Sequence, residues 1–316
     1  MPIDNAIVVE RDYAAERERF LAGFEKEALR ELVSGLGEHP YYYPQIFPTT
    51  KGWGAKGEIK RKVNLLKKVE PLLEKLLFPG EEVRFVTKGV YSSIGEQYFM
   101  GWMSHFINQT VFLYTNYRII LMNSDSRGKP LQMKWHIPYD QIRKFTAGSF
   151  ISGATIFKLK DRKSFSFGGI PKGDRKALKE FVAGMVERAE TEDFHLPHFQ
   201  GRDDLCPECF APVEPKLRAC AKCGEEFIKP STPALMSLAL PCLGDFYLGH
   251  RGLACFEIFG YIVTWAICIG LLMEQGLDAL AVVLPILGFE HGVDAVLTHH
   301  MAKKGLLLKK KAWRSH

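Results

Sequence analysis

The sequence predicts a multidomain α+β protein: N-terminal helices, a β domain closed by a helix, a small metal-binding module and an α-helical, membrane-embedded C-terminus. Three observations predict it. Short runs rich in valine, isoleucine, phenylalanine and threonine fill residues 81–168, between stretches with helical periodicity. Two CxxC pairs stand ten residues apart at 206–209 and 220–223. Two long apolar runs follow at 253–273 and 279–298.

A chain of 316 residues suits two or three units, at ~100–200 residues per domain. Its 42 basic residues against 36 acidic ones give too mild an excess to point to nucleic acid without a local cluster. The seven cysteines are uneven: none precedes Cys206, and Cys242, Cys255 and Cys268 lie in apolar sequence. That is unlike a disulfide framework and fits reduced thiols facing a reducing cytoplasm. The first twenty residues lack the basic start, apolar stretch and small-residue cleavage site of a secretory signal, so the N-terminus is expected to stay inside.

Between 11 and 36, Phe20, Phe24, Leu29 and Leu32 recur near a 3.6 period, which predicts one amphipathic helix ending near Gly35 and Gly37. Residues 38–57, with three prolines, several glycines and clustered aromatics, predict an ordered loop packed by its own rings. A second helix is predicted from about 58 to 77. Val63, Leu66, Val69, Leu72, Leu73 and Leu76 form its stripe, and Pro71 is a possible kink. Both apolar faces suit packing on the following domain.

Seven strands are predicted between 81 and 169, with turns at 115–118, 125–128 and 161–162. A helix over 172–188 follows, with Leu178, Phe181, Val182 and Val186 on one face. The region resembles bacterial pleckstrin-homology-like and GRAM-like domains. The resemblance rests on Phe78-Pro-Gly-Glu-Glu82, on the strand-turn-strand from Leu113 to Leu121 and on the step from Ile137 to Ile142. It implies a PH-like β-barrel with a C-terminal helix. The insertion at 95–108 departs from that pattern and carries Phe99, Trp102, Met103 and Phe106. These side chains either cap the core or contact the membrane interface, where a tryptophan presents an apolar body and a polar edge.

Cys206-Pro-Glu-Cys209 and Cys220-Ala-Lys-Cys223 supply the four thiolates of one closed tetrahedral site, which predicts structural Zn2+. A redox pair is the weaker reading, because no thioredoxin-like strand and helix surround either motif. The module resembles the zinc ribbons of membrane and nucleic-acid-binding proteins. Acidic residues offset its lysines and arginines, and stacking aromatics are nearly absent, so nucleic acid is not the expected partner.

The run 253–273 has one charge, Glu257, and about the ~20 residues needed to span a bilayer core. The run 279–298 carries Glu290, His291 and Asp294. Residues 234–248, broken by Pro241 and Gly244, are too short to cross and are expected to be interfacial or re-entrant. Lys303, Lys304, Lys309, Lys310, Lys311 and Arg314 follow the second run, and the linker 274–278 has no positive residue, so both ends are expected inside. Pro241-Cys-Leu-Gly-Asp-Phe-Tyr-Leu-Gly249 resembles the first apolar segment of a small two-span transmembrane domain; Cys242 replaces the small residue expected after the proline, which puts that tight turn in doubt. Glu257, Glu290, His291 and Asp294 are intramembrane ionisable groups, either near headgroups and paired with His250 or Arg251, or functional. Lys51-Gly-Trp-Gly-Ala-Lys-Gly57 lacks the pattern of a phosphate loop.

These readings divide the chain into a helical region (1–78), a PH-like domain (79–190), a zinc ribbon (201–230), a membrane-embedded two-span domain (231–308) and a basic cytoplasmic tail (309–316). The function expected is a non-enzymatic scaffold or binding protein of a bacterial inner membrane, both termini cytoplasmic. Its expected partners are membrane lipid and a protein partner or second copy. The alternatives are a membrane enzyme or transporter accessory acting on lipid through Glu257, Glu290 and Asp294, and a nucleic-acid-linked regulator.

Overall fold

The computed structural model describes residues 12–312 apart from 53, 92–95, 97, 99–100, 102, 149–153 and 192–195. Two compact units divide the chain at Pro215 and Lys216. The fold is mixed α+β, with antiparallel strands in the first unit and long apolar helix in the second.

The single helix expected over 11–36 is two: α1 (Tyr13–Ala22) and α2 (Glu27–Ser34). Asp12 caps α1 by accepting from the Ala15 amide at 2.9 Å, and Gly23 closes it. The turn brings α2 back along α1, where the Arg17 guanidinium donates to the carbonyls of Ser34 and Leu36. The aromatic loop is packed as expected: Tyr41, Tyr43 and Phe47 are buried, and the Tyr41 hydroxyl donates to Glu70 at 3.1 Å. A short α3 (Tyr43–Ile46) lies within it. Helix α4 (Ala55–Leu76) continues through Pro71 and buries Ile59, Val63, Leu66, Val69, Leu73 and Leu76.

All seven predicted strands form, but in two sheets. Strands β1 (Val83–Val90), β2 (Gln109–Thr115), β3 (Arg118–Ser124) and β4 (Pro130–Pro138) make an antiparallel meander, with α5 (Met103–Ile107) between β1 and β2. Strands β5 (Ile142–Ala147), β6 (Thr155–Leu159) and β7 (Ser164–Phe167) make the second sheet. Helix α6 (Lys172–Thr191) sets Phe181 edge-on to Tyr114 and Tyr139, at 6.2 and 6.3 Å. The first sheet continues past the domain edge expected at 190: β8 (Asp203–Leu205) pairs with β4, Lys134 opposite Leu205, and β9 (Pro212–Val213) pairs with β8.

A buried ionic network fixes β8. Glu81 accepts two bonds from Arg118, at 2.9 and 3.0 Å, and Arg118 also donates to the Leu76 carbonyl at 2.6 Å. Arg118 lies 3.0 Å from His136 Nδ1, and His136 Nε2 lies 3.3 Å from Asp203. A guanidinium has no acceptor, so Nδ1 accepts and the imidazole is the neutral tautomer with its proton on Nε2, facing Asp203. Burial pushes His136 below its ordinary pKa, and Arg118 adds to this against the pull of Asp203.

In the second unit α7 (Ser231–Ala239) and α8 (Leu243–Leu248) precede α9 (Arg251–Gln275) and α10 (Leu280–Ala302), with a 3₁₀ turn at Gly276–Ala279. Arg251–Ala302 is one apolar helical run, long and apolar enough to cross a membrane; an 18-residue window of it has mean hydropathy 1.9, with 6% of the window buried. Residues 231–248 are short helices packed on this run. A Cβ on Gly244 would stand 2.3 Å from the Pro233 carbonyl oxygen and 2.4 Å from Ser237 Oγ, so only glycine fits. Cys242 holds φ at 77°, so the turn that a small residue would favour forms even with cysteine there. The tail is also tied down. The Ile228 amide donates to the Leu307 carbonyl at 2.8 Å, and Lys309 and Lys310 pair with Glu226 and Glu225.

Candidate metal centre

The two cysteine pairs sit on matching turns. The Cys206 amide donates to the Ala211 carbonyl and the Phe210 amide to the Cys206 carbonyl, each at 2.9 Å. In the second turn the Cys220 amide donates to the Glu225 carbonyl at 2.9 Å, and the Gly224 amide to the Cys220 carbonyl at 2.8 Å. Each turn closes on a left-handed residue, Phe210 at φ 56° and Gly224 at φ 75°. Phenylalanine tolerates that conformation because its ring is anchored: it is buried in the core of the first unit, with the Lys134 ammonium 5.2 Å from its centroid.

The four sulfurs lie within 4.8 Å of one another, and no disulfide joins any of the seven cysteines. A tetrahedron with zinc–sulfur bonds of ~2.3 Å would separate its sulfurs by ~3.8 Å, so a cluster within 4.8 Å is compatible with a four-coordinate ion. Cys206 and Cys220 are buried and Cys223 is exposed. Such a set leaves no position for a reacting water, and its chemistry is that of a structural site.

The other predicted residues separate. Phe99 and Trp102 lie outside the described residues. Phe106 is exposed and Met103 is buried. Glu257 and Asp294 come together with Asp245, their carboxylates within 4.8 Å of one another. Asp245 and Asp294 are buried inside the second unit. Asp294 accepts from the Cys242 amide at 2.8 Å and from Thr298 at 3.3 Å; Asp245 lies 3.0 Å from His250 Nδ1 and accepts from Thr298 at 3.2 Å. Glu290 is outside this group, and His291 faces the Leu238 carbonyl at 2.8 Å and the Tyr261 hydroxyl at 3.4 Å. Asp245 carries no expected role from sequence; its one signal there is a carboxylate among apolar residues.

No family model matches the chain, and no curated protein does. Three solved chains match. One is the crystal structure of the C-terminal domain of an unknown protein from Leishmania infantum, 12% identical, covering 38% of this chain and 93% of that one at a TM-score of 0.26. A likeness that slight carries no argument.

Proposed function

We propose that the protein is a membrane-anchored, non-catalytic scaffold. In this reading residues 79–190 act as a PH-like barrel that binds lipid headgroups or a protein partner. The four cysteines hold structural zinc in a ribbon, and α9 and α10 cross a bacterial inner membrane as a two-span hairpin with both termini in the cytoplasm. The observation that carries it is the outward apolar surface of the helical run: Phe259 is 67% exposed, Leu284 63% and Phe289 69%. Water disfavours so large an apolar face and lipid does not. In support of two spans, Tyr261 of α9 stacks edge-on with His291 of α10 at 5.7 Å, and Cys268 packs with Ala279 and Val283. Protease added to sealed inverted vesicles should remove the N-terminal unit, and protease added to right-side-out vesicles should leave it intact. Digestion from the outer side would overturn the orientation.

The membrane-enzyme reading draws on one observation, the gathering of Asp245, Glu257 and Asp294. Loss of cellular function in Glu257→Gln and Asp294→Asn, with insertion unchanged, would favour it; unchanged function would retire it.

A further inference from the structure

A cleft of about 640 Å³ opens between α4 and the sheet edge, wholly within the first unit. Its five charged lining residues are all basic: Lys60, Arg61, Lys68, Lys88 and Arg127. No described lining residue is acidic. Three of the five come from α4: Arg61 and Lys68, seven residues or nearly two turns apart, share one face, and Lys60 lies ~100° around the helix from Arg61. Lys88 comes from β1, and Arg127 from the turn joining β3 to β4.

Close backbone approaches fix the walls. Gly128, at φ 87°, presses that turn onto α4, where a Cβ would stand 2.6 Å from Leu65 Cδ2. At Gly89 a Cβ would meet the Gly168 carbonyl oxygen at 2.8 Å. Gly57, in the first turn of α4, has nothing within 4 Å of where its Cβ would be, which leaves room beside the lysines.

The positive charge is only partly balanced. Arg61 pairs with the buried Asp174 at 2.8 Å, a carboxylate it shares with Lys62, which Glu58 also neutralises. Asp125 attracts Lys88 from the turn. Lys68 and Lys88 instead donate to neighbouring backbone carbonyls, Arg127 and Ser126. Those bonds keep two ammonium groups near each other, although flexible lysines on a water-facing surface would swing apart. Burial lowers the Lys88 pKa, and Lys68 lowers it further against the pull of Asp125. Five cations against Asp174 and Asp125 leave an excess of three positive charges around a concave space of ligand size.

We propose that this cleft binds a phosphate-bearing anion, the phosphate of an anionic lipid headgroup or of a soluble phosphate ester. Arginine forks and lysine ammonium groups suit phosphate oxygens through charge-assisted hydrogen bonds. The site rests on the binding role proposed above and is independent of whether residues 251–302 cross a bilayer. Half of its wall, α4, precedes the β domain.

The test titrates the full chain in neutral detergent with sodium pyrophosphate and with water-dispersed dioctanoyl phosphatidic acid, using dioctanoyl phosphatidylcholine as control and calorimetry as readout. Saturable binding of either phosphate probe is expected, weakening at least ten-fold between 50 and 300 mM salt. Tighter binding of the lipid identifies a headgroup, and equal binding identifies the phosphate itself. Lys60→Glu and Arg127→Glu, both exposed, should each weaken binding at least ten-fold with an unchanged unfolding temperature, and the remote Lys158→Glu should not. Binding of neither probe, or parent-like binding by both cleft variants, would overturn the site. Neither result would touch the membrane anchor, which protease protection tests separately.

Discussion

The two units of the chain differ most in the apolar surface they leave exposed. The first hides its aliphatic residues: Val33, Ile59, Leu66, Val111 and Ile120 are at most 1% exposed. Among the charges it buries, Glu81 and Arg118 are opposite and in contact. The second unit turns Phe256, Phe259, Ile262, Leu284, Phe289 and Val296 outward and hides Ser237, Asp245 and Thr298. One chain thus follows two rules of burial. On the reading proposed above, that difference reflects two solvents, water around the first unit and lipid around the helical run of the second.

The cysteine cluster provides the sharpest disturbance of this pattern, because zinc would tie together two turns from separate stretches of chain. Structural zinc contributes ~10–16 kcal/mol in small peptide modules. Elemental analysis of purified full chain should find one zinc, and Cys220→Ser should lose it and make the segment around 206–223 protease-sensitive. Retention of stoichiometric zinc in that variant would overturn the assignment.

Next in size is the buried ionic network of the first unit. Arg118→Ala leaves Glu81 buried without its partner and should cost ~3–5 kcal/mol, read from denaturant midpoints of the first unit's transition. A cost below ~1 kcal/mol would mean that its buried charges are not structural.

In the second unit, Gly244→Ala forces a methyl group into the Pro233 carbonyl and Ser237. Overpacking of this kind costs ~1–3 kcal/mol, so detergent-solubilised protein should lose several degrees of unfolding temperature. The same change at Gly260, where a Cβ meets nothing within 4 Å, should be neutral.

The smallest expected effect is on pH dependence. The folded His136 titrates below its unfolded value of ~6.5, so the unfolded chain binds more protons there. Its contribution is present above pH ~6.5 and is lost as pH falls below it, by at most ~1.4 kcal/mol per pH unit. Asp204 acts oppositely: burial raises it to about 6, so its folded form gains stability as pH falls from about 6 towards ~4. The diagnostic quantity is therefore the difference between parent and His136→Gln, which should show a shallower loss of stability from pH 6.5 to 5. Parallel curves would exclude the neutral buried imidazole.

What the sequence showed and what it hid follow the range of the interactions. The α4 stripe, the seven strands and the paired cysteines depend on near neighbours, and all are legible as periodicity or spacing. The break at Gly23 is not, because Phe24 continues the apolar pattern and the contacts of Arg17 with Ser34 and Leu36 decide the turn. Nor is the extension of the first sheet by β8, since nothing near Asp203 announces a partner at His136. The acidic group was half legible: Glu257 and Asp294 stand out in apolar sequence, and only folding brings Asp245 to them. The basic cleft was hidden because its residues come from α4, β1 and a distant turn. The tail reads as free lysines, although Lys309 and Lys310 meet Glu226 and Glu225 across the fold.

The claim that the second unit is folded for lipid is tested most directly by extracting the full chain from native membranes with alkaline carbonate. The account predicts that the protein stays in the membrane pellet and is released only by detergent. Release by carbonate into the supernatant as a folded, monodisperse protein would contradict it.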